Sequence, residues 1–307
     1  MSSPSPPPKA LTPPPTALPS EQGPALPGRR QRGTRGWPAL IAWLALVAGF
    51  AVTIFVSIVV VGAAGDAGTD ADGDIRPGFS IGLTVFQSVA LFAAALFFAR
   101  RVSRPRAQDF GLCAPRQLRR AVGLLLAVWG AFFLFAAIWA IALKLDEKSD
   151  LPERLGADLS TPNLLVVTFL VCVVAPVGEE LFFRGFFFGA LRNWRGAWPA
   201  AIITGLTFGA IHLGSAPVGQ LIPLAAFGMG LCMLYHWTGS LYLPIALHAL
   251  NNAIAFGAGE EGWQWWLVLL TMAGAVVVSL TVAVAIRGLL GSGARRDRRA
   301  APPMAPA

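Results

Sequence analysis

Between residues 37 and 286 the chain is a succession of apolar runs, at about 37–61, 79–99, 121–143, 164–191, 197–213, 220–237, 241–258 and 263–286. A membrane helix needs about 20 predominantly apolar residues. In lipid every backbone N–H and C=O must find its partner within the protein, which leaves helices or closed barrels. Runs of this length predict an all-α fold: a polytopic integral membrane bundle of about eight transmembrane helices around an intramembrane polar cavity. The composition agrees, with 55% hydrophobic and 13% charged residues, against about 25% charged in average soluble domains. The formal net charge of +8 does not point to nucleic acid, because the arginines flank apolar runs in the manner that fixes membrane orientation. Cys113, Cys172 and Cys232 are far apart and form no metal-ligand spacing, as expected of buried thiols.

The boundaries follow from composition. Residues 1–36 are rich in Pro, Ser and Gly and then basic, and read as a disordered arm, since proline sustains no helix. This arm is too long and too proline-rich for an ordinary signal peptide, so the run after it is a membrane helix. Residues 37–108 hold the first two helices and a basic loop, 109–258 the core, 259–290 the last helix, and 291–307 a basic tail. Acidic loops carry Asp66, Asp70, Asp72 and Asp74, then Glu260 and Glu261. Eight spans place both termini on one side. Of the 24 Lys and Arg, only Arg76, Lys144, Lys148 and Arg154 fall on the other. The positive-inside rule then predicts a cell-membrane protein with both termini cytoplasmic. Asp109-Phe110-Gly111-Leu112 lies between arginine clusters and is expected at that interface.

One stretch breaks the apolar pattern: Val177-Gly178-Glu179-Glu180-Leu181-Phe182-Phe183-Arg184-Gly185. Charges at membrane depth are costly unless paired or functional. Positions four apart share a helix face, so Glu180 and Arg184 are expected to pair. Glu179 points about 100° away and has no partner on its own helix.

The polar content of the later runs collects at Phe208-Gly209-Ala210-Ile211-His212 and His248-Ala249-Leu250-Asn251-Asn252. Phe208 and His212 share a face, as do His248 and Asn252, with Asn251 close by. Glu179, His212, His248 and Asn252 are therefore expected to converge on one pocket. A carboxylate and two imidazoles can hold zinc with an open position, with Glu179, His212 and His248 as ligands. They can also activate water without metal, the carboxylate taking a proton and N–H groups stabilising an oxyanion. Burial would raise the pKa of a lone carboxylate, which improves Glu179 as a base. HExxH, GxGD and an intramembrane GxSG are absent from the sequence.

These three stretches resemble the ordered motifs EExxxR, FxxxH and HxxxN of the CAAX prenyl endopeptidase and bacteriocin-processing (CPBP, or Abi) family of intramembrane metalloproteases. The resemblance covers about residues 109–258. It implies an eight-span helical fold with an intramembrane cavity, Glu179 as the water-activating carboxylate with His212 beside it, and His248 with Asn252 as an oxyanion-stabilising or ligating pair. It further implies Glu180 and Arg184 as the supporting pair, Phe208 as part of the wall, and a membrane-associated protein or peptide substrate of the prenylated CaaX type. Two other readings use the same residues. One is a non-proteolytic immunity or scaffold protein of the same fold. The other is a proton-coupled transporter with Glu179 as relay. Membrane lipids are partners in all three, and nucleic acid in none.

Overall fold

The computed structural model describes residues 36–69, 75–145, 154–156, 160–259 and 264–300. The proline-rich arm up to residue 35, Asp70, Asp72 and Asp74, most of the acidic loop before residue 160, Glu260 and Glu261 lie outside the described residues. Eight long helices follow one another, with no β-strand among the described residues: α1 (Ala39–Ala64), α2 (Pro77–Val102), α3 (Leu118–Leu143), α4 (Thr161–Arg195), α5 (Ala197–Ala210), α6 (Leu221–Thr238), α7 (Tyr242–Gly259) and α8 (Trp265–Ala300). The order and placement match the eight apolar runs, and the protein is an all-α polytopic membrane bundle.

By length and composition, six of these helices can cross a membrane, and α5 and α7 are not among them. At 1.5 Å per residue, the 14 residues of α5 rise only about 21 Å, short of the roughly 30 Å hydrocarbon core. In α7 the polar side chains of His248, Asn251 and Asn252 lower the hydropathy. Helix α7, which carries His248, and α5, which leads into the turn at His212, are thus the least membrane-like. The helix of α8 also continues to Ala300, through the segment expected to be a separate tail.

Close packing between α5 and α6 depends on absent side chains. A Cβ on Gly205 would lie 2.5 Å from the Ala225 carbonyl oxygen, and one on Gly209 would lie 2.6 Å from that of Leu221. Gly205 and Gly209 form the small-xxx-small spacing that lets membrane helices approach backbone to backbone.

Helix α4 is not uniform. Two π-helical stretches, Leu170–Val174 and Leu181–Phe188, flank the α-helical Ala175–Glu180 that carries both glutamates. Pro176 accounts for the first. It has no N–H for the carbonyl four residues earlier, and its ring crowds that turn, so the helix widens. The freed carbonyls are answered from neighbouring helices, as a lipid environment requires. Asn252 Nδ2 of α7 donates to the Val171 oxygen at 2.9 Å, and Ser279 Oγ of α8 donates to the Cys172 oxygen at 3.5 Å. Cys172 is the residue four before Pro176.

The second wide stretch, Leu181–Phe188, is buried throughout. Trp37 packs on Phe110 and Phe186 with ring centroids 5.3 and 5.0 Å apart. The Asp109–Leu112 segment, expected at the cytoplasmic interface, is packed into the protein. Asp109, Phe110 and Leu112 are 3%, 0% and 1% exposed. Phe110 lies against Gly185, where a Cβ would meet its ring at 3.1 Å. Gly111 (φ +78°) turns the chain where a side chain would overlap the Tyr235 ring, and its carbonyl accepts from the Leu241 N–H at 2.8 Å. This turn wedges α4 against the junction of α6 and α7.

Removing the amide at position 252 orphans the Val171 carbonyl, a defect of about 1–3 kcal/mol. Asn252→Ala is expected to lower the thermal midpoint in detergent measurably more than Asn251→Ala, whose side chain is half-buried and joins neither bond.

Candidate active site

The two glutamates of α4 have different environments. Glu180 is fully buried, and its Oε1 accepts from Arg184 Nη1 at 2.8 Å and from His248 Nδ1 at 2.8 Å. The expected pair with Arg184 is present, and the same oxygen also reaches across to α7. Arg184 is itself 0% exposed. Its Nη2 donates to the Gly228 carbonyl of α6 at 3.1 Å, and its guanidinium carbon lies 4.4 Å from the Phe208 ring centroid. One buried ion pair thus ties α4 to α5, α6 and α7. Breaking such a pair by removing one partner costs about 3–5 kcal/mol, because the other charge is left buried.

Glu179 faces the other edge of the same histidine. Its Oε2 lies 3.8 Å from His248 Nε2, too long for a direct hydrogen bond, and its side chain is 18% exposed against 5% for His248. That oxygen is buried with no hydrogen-bond partner, as is Glu180 Oε2. The contact with a carboxylate places the imidazole proton of neutral His248 on Nδ1. The Nε2 edge is then turned toward Glu179.

Phe208 joins the remaining parts. Its ring lies 4.8 Å from that of His212 and 5.7 Å from that of His248, and Phe227 closes on His248 from α6, also at 5.7 Å. His212 is not inside a helix as expected. Helix α5 stops at Ala210, and His212 sits in the following turn. Its ring folds back so that Nδ1 meets the Phe208 carbonyl oxygen at 2.7 Å, which directs its Nε2 edge outward as well.

The sequence-predicted set is therefore divided. Glu179, Glu180, Arg184, Phe208, His212 and His248 form one contiguous cluster through the Phe208 ring and the Glu180 carboxylate. Asn252 does not point into it in the way an oxyanion donor would, because its amide is spent on Val171. Asn251 is half-buried beside it. In place of an open polar chamber, the titratable groups pack against phenylalanine rings. A cavity of about 200 Å³ lies alongside, lined by Ser88, Phe92, Phe169, Val174, Gly178 and Leu181 among others, and it is apolar.

The fit to zinc is partial. Both histidines hold Nδ1 against an acceptor and present Nε2, which is the orientation metal-ligating histidines adopt. Among the described residues, however, no three His, Cys, Asp or Glu side chains come together closely enough to hold a metal ion. The set Glu179, His212 and His248 does not form a three-ligand site in this arrangement.

The sequence reading missed Gly228 as the carbonyl that takes Arg184, and Phe227 as a wall of His248. Neither residue type carries a chemical signal on its own. It also missed the wide turns, although Pro176 within an apolar run was the available sign.

Residues 161–254 match the family described as type II CAAX prenyl endopeptidase Rce1-like. Over 141 residues the chain is 30% identical to an uncharacterized 24.3 kDa protein of Escherichia coli, covering 44% of this chain and 62% of that one. Over 93 residues it is 30% identical to a Bacillus subtilis (strain 168) protein named "Putative membrane peptidase YdiL", covering 30% and 36% respectively. Over 103 residues it is 28% identical to the uncharacterized protein YpbD of the same organism, covering 33% and 48%. The chain thus spans between about a third and three fifths of these relatives. No solved structure matches. The matched region contains every residue of the cluster just described.

Proposed function

We propose that this protein is an intramembrane endopeptidase that hydrolyses peptide bonds of membrane-associated proteins with water activated between Glu179 and His248. The observation that carries this reading is the pairing of a buried, unbonded oxygen of the partly exposed Glu179 side chain with an imidazole edge 3.8 Å away, inside a membrane helix bundle. A separation beyond direct bonding distance between two such groups is where a shared water belongs.

Glu179 takes the proton from this water as its oxygen attacks the scissile carbonyl, and later delivers it to the leaving amine. His248 stands on the other side of the water. Its Nδ1 is held by Glu180, so Nε2 is the edge that meets substrate. Glu180 and Arg184 do not touch the reacting atoms. They fix the imidazole, and the π-helical turns flanking residues 175–180 set the direction of the two glutamates relative to it. His212 faces the same space from the turn after α5, where its Nε2 can orient the peptide. The substrate, by the character of the family, is a protein segment held at the membrane, with a prenylated CaaX-type C-terminus as the first case to test. The orientation proposed is the cell membrane with both termini cytoplasmic.

Purified protein in lipid bilayers, offered a fluorogenic prenylated peptide, tests the first part. Removing a general base costs about 10²–10⁴-fold in rate, so Glu179→Gln is expected to lose cleavage by that factor with helix content and thermal midpoint unchanged. Full activity in Glu179→Gln would sink the reading. The arrangement gives no third ligand, so zinc is not placed in these steps. Protein stripped with a strong chelator is expected to keep its rate, and loss of activity restored by zinc would return a metal to the site.

A further inference from the structure

We propose that the apolar cavity beside α4 is a binding site for one acyl chain of an anionic phospholipid, whose phosphate is held by Arg100, Arg104 and Arg106. The proposal is independent of whether the protein cleaves peptides. The cavity, of about 200 Å³, is a cleft between three helices: Ser88, Val89 and Phe92 come from α2, Val282 and Ile286 from α8, and the rest of its wall from α4. No charged side chain lines it, and the Ser88 hydroxyl is turned to the Thr84 carbonyl oxygen at 3.2 Å. Its floor is the close contact of α2 with α4, where a Cβ on Gly178 would lie 3.2 Å from that of Ser88. Its mouth faces away from the bundle, since Val89 and Phe169 are 58% and 49% exposed. On helices that cross a membrane, such a mouth opens to hydrocarbon.

Charge at one end of this cleft selects the occupant. Three turns of α-helix take about 11 residues, so Arg100, that far along α2 from Val89, lies on the same face as the mouth, and it is exposed. The rise between them is about 16 Å, roughly half of the 30 Å hydrocarbon core and thus the depth that the chains of one leaflet reach. Beyond α2 the chain carries Arg104 and Arg106, both exposed, into the Asp109–Leu112 turn. Phe110 of that turn packs on Phe92 of the cleft wall, with ring centroids 6.3 Å apart, and joins the same apolar cluster as Ile286 and Leu290 of α8. The segment bearing these two arginines therefore crosses from α2 toward α8 at the basic end of the cleft. Arg101 is directed elsewhere, its guanidinium carbon 4.6 Å from the Phe97 ring centroid. Basic residues between membrane helices at the surface hold lipid head groups, and guanidinium forks match phosphate oxygens bidentately. A neutral lipid fills the same cavity but leaves these charges unanswered. A seated chain packs on Val174, Val177 and Gly178, the flank of α4 where Pro176 interrupts the helix.

The experiment is native mass spectrometry of the full chain released from nanodiscs of equal parts phosphatidylglycerol and phosphatidylcholine with the same acyl chains. One retained phosphatidylglycerol per protein is expected, in preference to phosphatidylcholine. Arg100→Gln is expected to lower that preference by about 5-fold, the weight of one arginine near an anionic surface, and Arg101→Gln to leave it unchanged. Val89→Phe, which fills the mouth, is expected to abolish retention of both lipids while helix content stays as in wild type. Should Val89→Phe not fold, Val282→Phe fills the cleft from α8 with the same expected loss. Equal retention of the two lipids, or an Arg100→Gln effect no larger than that of Arg101→Gln, would overturn the assignment of the phosphate. Retention that survives the filling variant would place the lipid elsewhere on the surface and overturn the site. Displacement of the retained lipid by one equivalent of a prenylated peptide would assign the cleft to substrate and overturn the proposal as well.

Discussion

A carboxylate and a guanidinium sealed at zero exposure inside a membrane bundle, Glu180 and Arg184, constrain everything around them. Desolvating two charges costs several kcal/mol each, and their attraction repays this only when further hydrogen bonds complete the geometry. The protein meets that demand from three directions, with the Gly228 carbonyl, the Phe208 face and the His248 imidazole. Each of these contacts requires a specific helix at a specific distance. Gly205 and Gly209 let α5 approach α6, and the Asp109–Leu112 turn holds α4 against them through Gly185. The pair is therefore better understood as a fixture for His248 than as a source of net stability.

The same logic explains the irregularity of α4. Thirty-five residues of regular α-helix would span roughly 52 Å at 1.5 Å per residue, well beyond the hydrocarbon core. Pro176 and the two wide stretches interrupt that regularity on either side of the glutamates. π-helical turns are rare and concentrate at functional sites. Here the first of them has an identifiable cause in Pro176 and an identifiable compensation in Asn252 and Ser279. Asn252 contributes by holding the shape of the helix that bears Glu179, one step removed from the chemistry expected of it.

Much of this was legible in the residues, and the rest was hidden for physical reasons. Run length and charge exclusion found all eight helices, because lipid forbids other backbone solutions. Helix periodicity paired Glu180 with Arg184 and separated Glu179 from both. The contact of Glu180 with His248 was not legible, since two side chains 68 positions apart meet only through the packing of α4 on α7. His212 was read as helical because the apolar run continues past Ala210, whereas the backbone turns there and the ring folds onto Phe208 O. The Asp109–Leu112 turn looked amphipathic, yet Phe110 is buried between Trp37 and Phe92. Spacing within a segment shows which face a side chain takes, and says nothing of what stands opposite.

The central claim is that Glu179, aimed at His248 by this fixture, makes the bundle a peptidase. The most direct measurement is comparative mapping of protein termini in membranes from cells carrying wild-type protein and cells carrying Glu179→Gln at equal abundance. The account predicts a small set of new termini on membrane-associated proteins that appear with wild type and vanish with Glu179→Gln. An identical set of termini in the two membranes would contradict it.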